Sequence, residues 1–433
     1  MGCCVPESIL GEDGRLTRMH PSLESLSLVT DATCDSFDEQ DRDASHTKMD
    51  LSPFRKLKSI CWKGPLDSNQ HVLSTAIKNN AHHLDSLELG LFHWLHKEPD
   101  RDIYDRSHEG HDDNPGYFGN TLKLHQHAPQ PMFQQLTSLV LAGAPLGPAM
   151  VEMINFDVLR SLTLRSCPGW ETFTQRIVKM GLPVKLKTFE LHYALKDAAQ
   201  RGHAELDLYY GCPNRLSEVE EFIHVCEGLE ELFLNLPKPR HAWSLWKHIS
   251  HREASLKRFV LHHRTPYYNC THLEGDDVDL PNLGLTERED RLYHPPLLNP
   301  LRELKLECIS LLPFLKLIHI RQTGRDRQVF GNIAIDRGSS SLNRAIDGGY
   351  GPFDSPDGPP LLQAVAYGDF AHEGRANTEN FILCRRPNGF RQVPKSSYEW
   401  EGIVEKFRNV LEACPTKPLL MWPSTDTDDV DDW

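Results

Sequence analysis

A short pattern of apolar and variable positions, apolar-x-x-apolar-x-apolar, recurs through the first three quarters of the chain. Its instances are LESLSL from Leu23, LKSICW from Leu57, LDSLEL from Leu84, LTSLVL from Leu136, LRSLTL from Leu159, LKTFEL from Leu186, LEELFL from Leu229, LKRFVL from Leu256 and LRELKL from Leu301. One match is what any amphipathic segment produces; nine exceed chance. Counting the first apolar residue as position 1, the alternation predicts a strand whose residues at positions 4 and 6, such as Leu162 and Leu164, enter a core. Positions 3, 5 and 7 then share the opposite, open side.

The start-to-start spacings are 34, 27, 52, 23, 27, 43, 27 and 45 residues, so the longer gaps must hold insertions. Between the strands several segments carry helical periodicity. Val72, Leu73, Ala76 and Ile77 share one helical face, as do Met150, Val151 and Ile154. Ser217 and Glu220 form a capping box ahead of Phe222, Ile223 and Cys226, and Trp243, Trp246 and Ile249 repeat the theme.

The pattern resembles the strand signature of leucine-rich repeats. That likeness implies an α/β fold, an irregular leucine-rich-repeat solenoid with a parallel strand ladder and outer helices. Nine strands would make a ladder roughly 40 Å long, enough for a protein partner. The asparagine position of that repeat class is filled recognisably only by Cys167.

The domain plan follows from where the pattern holds and where it fades. Residues 1–22 are a lead segment and residues 23–320 the repeats, with polar insertions at 91–131 and 262–300. Residues 321–395, which include GSSSLNRAIDGGYGPFDSPDGPP, read as an irregular Gly/Pro/Ser-rich region. Residues 396–415 read as a capping helix with Trp400, Ile403, Val404, Phe407, Val410, Leu411 and Cys414 at helical spacing, capped by Ser396 and Glu399 and stopped by Pro415. Residues 416–433 are an acidic tail that repels itself and stays solvated.

Composition narrows the function classes. A net charge of −14 disfavours nucleic acid and anionic lipid as partners. Eleven scattered cysteines lack the spacing of a secreted disulfide scaffold, and the amino terminus lacks an export signal. The apolar stretch from Leu306 to Ile320 is too short for a membrane span. Pro6 stands where N-myristoylation wants Ser or Thr, and the sequon at Asn269-Cys270-Thr271 reads as a chance match. A soluble protein of the cytoplasm or nucleus is expected.

The chemistry of a catalyst is not signalled. Phosphate-loop, dinucleotide, HExxH and GxSxG motifs are absent from the sequence, so neither an enzyme nor a cofactor is expected. His93, His96, His108, His111, His125 and His127, with Asp112 and Asp113, have spacings that could share a cation, but they sit in polar sequence that reads as a solvated loop, and no metal is expected.

The open strand side carries the functional expectation. Its early repeats present Ser25, Ser27, Ser59, Ser86, Ser138 and Ser161. Later repeats present Arg165, Glu190, His192, Glu231, Phe233, Arg258, His262, Glu303 and Lys305, a mixed-charge face with an exposed aromatic. Aromatic and Arg anchors concentrate binding energy, so this later face is the expected site for a protein partner.

Degenerate repeats, long inserts, tryptophan- and histidine-rich linkers and an acidic tail together resemble the repeat regions of fungal F-box proteins, over about Leu23 to Ile320. The resemblance implies substrate recognition for a ubiquitin ligase, with an amino-terminal F-box binding the Skp adaptor. Of the pattern that opens an F-box, LPxEIL, only VPESIL stands before the first repeat at Leu23. A Skp partner is therefore expected only if an F-box stands upstream of these residues; otherwise the protein is a stand-alone repeat scaffold.

Overall fold

The computed structural model describes residues 7–20, 22–30, 49–65, 69–91, 116–124, 130–192, 216–237, 249, 255–264, 308–311, 364–367, 370, 380–386 and 389–412. The chain divides into two compact units, Met1–Leu186 and Lys187–Thr416. Each is α/β, with an open ladder of parallel strands and helices in the connections.

In the first unit β1 (Ser25–Val29), β2 (Ser59–Lys63), β3 (Ser86–Gly90), β4 (Ser138–Ala142) and β5 (Ser161–Arg165) pair in parallel in chain order. Each strand occupies positions 3 to 7 of a motif, and equal positions face one another, so that Ser25, Ser59, Ser86, Ser138 and Ser161 align. Leu84, Leu136 and Leu159 at position 1 are fully buried, as are Leu87, Leu89, Leu139, Leu141, Leu162 and Leu164 at positions 4 and 6. Each such leucine contributes roughly 1.5–3 kcal/mol by leaving water. A slip of one residue would turn the whole set to the open side, which fixes the register.

The strand ends close in the same way at every step. Backbone N–H groups at positions 2 and 3 both donate to the position 2 carbonyl of the preceding strand: Lys58 and Ser59 to Glu24, Asp85 and Ser86 to Lys58, Thr137 and Ser138 to Asp85, Arg160 and Ser161 to Thr137. Past the strand, the position 8 N–H donates to the next strand's position 7 carbonyl, as in Thr30 to Lys63 at 2.9 Å, Gly64 to Gly90 at 2.8 Å, Leu91 to Ala142 at 2.7 Å and Gly143 to Arg165 at 2.8 Å. Position 8 turns the chain out of the ladder in the left-handed region at Gly64 (φ 74°), Gly143 (φ 71°) and Ser166 (φ 53°).

The first unit's helices are α1 (Glu7–Leu10), α2 (Arg15–Met19), α3 (Gln70–Asn80), α4 (Ala149–Met153) and α5 (Trp170–Lys179). α3 buries Leu73, Ala76 and Ile77, the face expected from periodicity, though Val72 is only half-buried. Its last residue, Asn80, is fully buried and ties helix to strand. The Asn80 amide donates to the Phe54 and Ala76 carbonyls at 2.8 Å each, and its oxygen accepts from the Leu57 N–H at 2.9 Å.

The insertion at 91–131 needs correcting. Residues 92–115 and 125–129 lie outside the described residues, but 116–124 are packed core rather than polar loop. A π-helical turn at Tyr117–Thr121 buries Tyr117 and Phe118, and Leu122 and Leu124 follow them inside. Phe118 meets Phe133 edge to face at 6.4 Å between centroids, and Ser74 Oγ of α3 donates to the Leu122 carbonyl at 2.5 Å.

In the second unit β6 (Thr188–His192), β7 (Glu231–Pro237), β8 (Arg258–Arg264), β9 (Cys308–Leu311) and β10 (Ala364–Tyr367) run parallel, and β11 (Phe381–Arg386) and β12 (Gly389–Gln392) continue the sheet antiparallel. Its helices are α6 (Leu216–Val225), α7 (Tyr398–Lys406) and α8 (Arg408–Leu411). Among the described residues no helix is long and apolar enough to cross a membrane.

Four expectations are revised here. The ninth strand is LECISL from Leu306, not LRELKL from Leu301: Arg258 pairs with Cys308 and Phe259 with Ile309. The region 321–395 is not wholly irregular, since β10, β11 and β12 fall within it. β10 is a tenth copy of the pattern, LQAVAY from Leu362, with Ala364 aligned on Cys308. The expected capping pairs shift: α6 already includes Ser217 in its first turn, and α7 is capped by Ser397, whose Oγ accepts from the Trp400 N–H at 3.2 Å, rather than by Ser396. The final helix itself is present, broken at Phe407 into α7 and α8.

Candidate functional site

Strand alternation sets two open faces, one in each unit, and they differ in exposure. In the first unit position 3 gives an aligned row of serines, with Ser25 exposed and Ser59, Ser86, Ser138 and Ser161 half-buried. Position 5 runs from exposed Ser27 through half-buried Cys61, Glu88 and Val140 to buried Thr163. Val29 is 51% exposed, and Lys63 Nζ pairs with Glu88 across β2 and β3 at 2.8 Å. Arg165, a predicted site residue, is half-buried at the end of β5.

Beside the serine row, position 2 forms a second line of alternating charge. Lys58 Nζ lies 3.0 Å from Glu24 in the first unit. In the second unit Glu230 lies 3.1 Å from Lys187 and 2.6 Å from Lys257. Hydrogen bonds from Lys257 and then Lys187 hold the Glu230 carboxyl below its ordinary range.

Among the described residues, part of the second unit's face is covered. Phe233, expected as an exposed aromatic, is 2% exposed, and Glu190 and His192 are buried at 4% and 0%. These three predicted partner contacts are therefore corrected: they face the open side of the ladder but do not reach solvent. The reason for Phe233 is a long-range one. It shares one apolar cluster with Ala364, Ala366, Phe370, Val393, Phe407, Val410 and Leu411, drawn from the end of the chain.

Glu231 and Arg258 are brought together. The Arg258 guanidinium donates to Glu231 Oε1, and Thr188 Oγ donates to Glu231 Oε2 at 3.1 Å, so position 3 of β6, β7 and β8 forms one polar chain. Asn409 of α8 adds a donor to Glu231 Oε1 at 2.9 Å. His262 lies in β8, aligned with Asn235. Glu303 and Lys305 lie outside the described residues, and the register of β9 aligns Cys308 with Arg258 and Ser310 with Val260.

Sequence reasoning missed the alanines of β10 and the hairpin of β11 and β12. One signal was present: Asn388-Gly389 after the apolar run FILC is a hairpin mark. The histidines at 93, 96, 108, 111, 125 and 127 lie outside the described residues, as do Trp243 and Trp246 and residues 265–300 of the insertion expected at 262–300, whose first residues 262–264 belong instead to β8.

Cys167 occupies the place where the repeat class carries asparagine, and its surroundings suit a donor. It is 4% exposed, and its thiol donates to the Leu141 carbonyl at 3.4 Å. Burial pushes the thiol up to about 12, so it stays protonated and acts as a turn-closing group rather than a nucleophile. Among the described residues no group of three or more His, Cys, Asp or Glu side chains is placed to hold a metal ion.

No protein-family model matches the chain, and no curated protein sequence matches it.

Proposed function

We propose that the protein is a protein-binding scaffold of the leucine-rich-repeat kind, and that its docking surface is the open face of the first unit. The observation that carries this reading is the aligned row Ser25, Ser59, Ser86, Ser138 and Ser161, held in register over five strands and left partly accessible. Hydroxyls of that size offer hydrogen bonds at low conformational cost and let a partner's backbone approach closely. Lys63, Glu88 and Val29 beside them add charge and an apolar edge.

The partner is a protein of the same compartment, cytoplasmic or nuclear. Supplying substrates to a ubiquitin ligase is the role that the likeness to fungal F-box proteins supports, with Skp as a further partner if an F-box stands upstream of these residues. Affinity purification with mass spectrometry tests both levels. A partner retained by the wild type and lost on Ser86→Arg/Ser138→Arg is the expected result; retention after those changes overturns the docking surface. Skp and cullin subunits among the captured proteins support the ligase role, and their absence beside a captured partner leaves the stand-alone scaffold.

A further inference from the structure

The open face of the second unit already holds a helix. Phe233 on β7 and Ala364 and Ala366 on β10 stand at outward positions, and Phe407, Val410 and Leu411 join them in one cluster. α8 lies against β8 and β9. The two alanines leave the room that a helix needs.

We infer that this face is a receptor for an amphipathic helix, that Tyr398–Leu411 is its resident occupant, and that a partner helix of the same chemistry displaces it. The chemistry is read from the occupant: an aromatic residue, then an amide donor two positions on and aliphatic residues three and four positions on, as in Phe407, Asn409, Val410 and Leu411. The amide meets Glu231 at 2.9 Å, the acceptor that sets the helix in place.

Three observations mark the occupant as displaceable. α7 buries no side chain completely, its Trp400, Ile403 and Val404 are only partly buried, and Tyr398 is 93% exposed. A helix belonging to a core buries a stripe along its whole length; in this one Trp400, Ile403 and Val404 pack against the cluster while staying only partly buried, and complete burial begins at Phe407. Gly402 stands inside α7 with nothing within 4 Å of where a Cβ would lie, so packing does not require glycine and the helix is weakened. The polar fastenings are at the surface: Asn409 to Glu231, and Arg386 Nη2 to both Glu399 oxygens at 2.5 and 2.6 Å.

The inference does not rest on the first unit's serine row, and its tests do not touch that row. Hydrogen exchange read by mass spectrometry on the full chain is expected to show residues 398–411 exchanging at least about tenfold faster than β7, because the helix leaves while the ladder stays. Equal protection of helix and strand overturns it. A labelled peptide of residues 396–413 is then titrated into full-length protein. Phe407→Asp/Leu411→Asp, which weakens the resident helix, is expected to bind the peptide at least about tenfold more tightly than wild type, since more of the face is open. Gly402→Ala is expected to bind it about fivefold more weakly, by strengthening the resident helix. A folded double variant that ignores the peptide overturns the inference; if that variant does not fold, the exchange rates and Gly402→Ala decide.

Discussion

Asn409 donates its side-chain amide to Glu231 Oε1 at 2.9 Å, across 178 residues of chain. That bond joins the last described helix to the strand whose Phe233 it covers. Replacing Asn409 with Ala removes a surface hydrogen bond to a carboxylate and is expected to cost about 0.5–1 kcal/mol. Asn409→Asp sets two carboxylates together and should cost more. Thermal unfolding of both variants checks the order; equal midpoints for Asp and wild type would refute it.

Asn80 is a polar lock of the first unit, and all three of its named bonds are buried. Asn80→Ala leaves the Leu57 N–H without its acceptor and the Phe54 carbonyl without this donor. The expected loss is roughly 2–3 kcal/mol, read as a lower urea midpoint with an unchanged slope.

Cys167 gives a pH prediction. Its folded thiol is pushed up to about 12 against an ordinary 9.0, so folding favours the protonated form. That stabilisation is complete below pH 9 and is lost as pH rises towards 12, because the unfolded chain ionises first. Alkylation at pH 8 should be slower than for a free cysteine by a thiolate fraction roughly a thousandfold smaller, and steric burial slows it further. Labelling Cys167 in the folded protein as fast as in urea would contradict this.

Glu230 behaves in the opposite sense. Its carboxyl is held down by Lys257 and Lys187, so its contribution is present above the ordinary 4.5 and fades as pH falls through the lowered folded value. The lysines are 51% and 61% exposed, and solvent screens the pairs. Glu230→Gln should therefore cost only about 0.2–1 kcal/mol at pH 7, and less in high salt or acid. Denaturation curves at two salt concentrations measure it.

Most of the ladder was legible in the sequence because its cause is local. Alternation places Leu162 and Leu164 inside whatever the rest of the chain does, and eight motifs became strands at the expected positions. The ninth failed because LRELKL and LECISL overlap at Leu306, and local pattern cannot choose between them. The tenth, LQAVAY, carries valine and tyrosine where leucine was sought. Residues 116–124 were hidden behind charged neighbours in the sequence, although Tyr117, Phe118, Leu122 and Leu124 were there to be buried.

The candidate site was less legible, for a different reason. Strand period correctly turned Phe233 to the open side, but exposure depends on what covers that side, and the cover is Phe407, Val410 and Leu411. No local period reports a contact between residues so far apart. Glu231 and Arg258 were picked as binding charges and proved to bind one another.

The strand-end closures have a further consequence for how such a chain changes length. β3 and β4 start 52 residues apart and β4 and β5 start 23 apart, yet both junctions use the same paired N–H donors before the strand and the same rung after it. Loop growth costs little entropy once the ends are fixed. Segments can thus be spliced in or out past position 8, for instance after Leu91, as freely as beads are added to a wire, while the rails on either side keep their gauge.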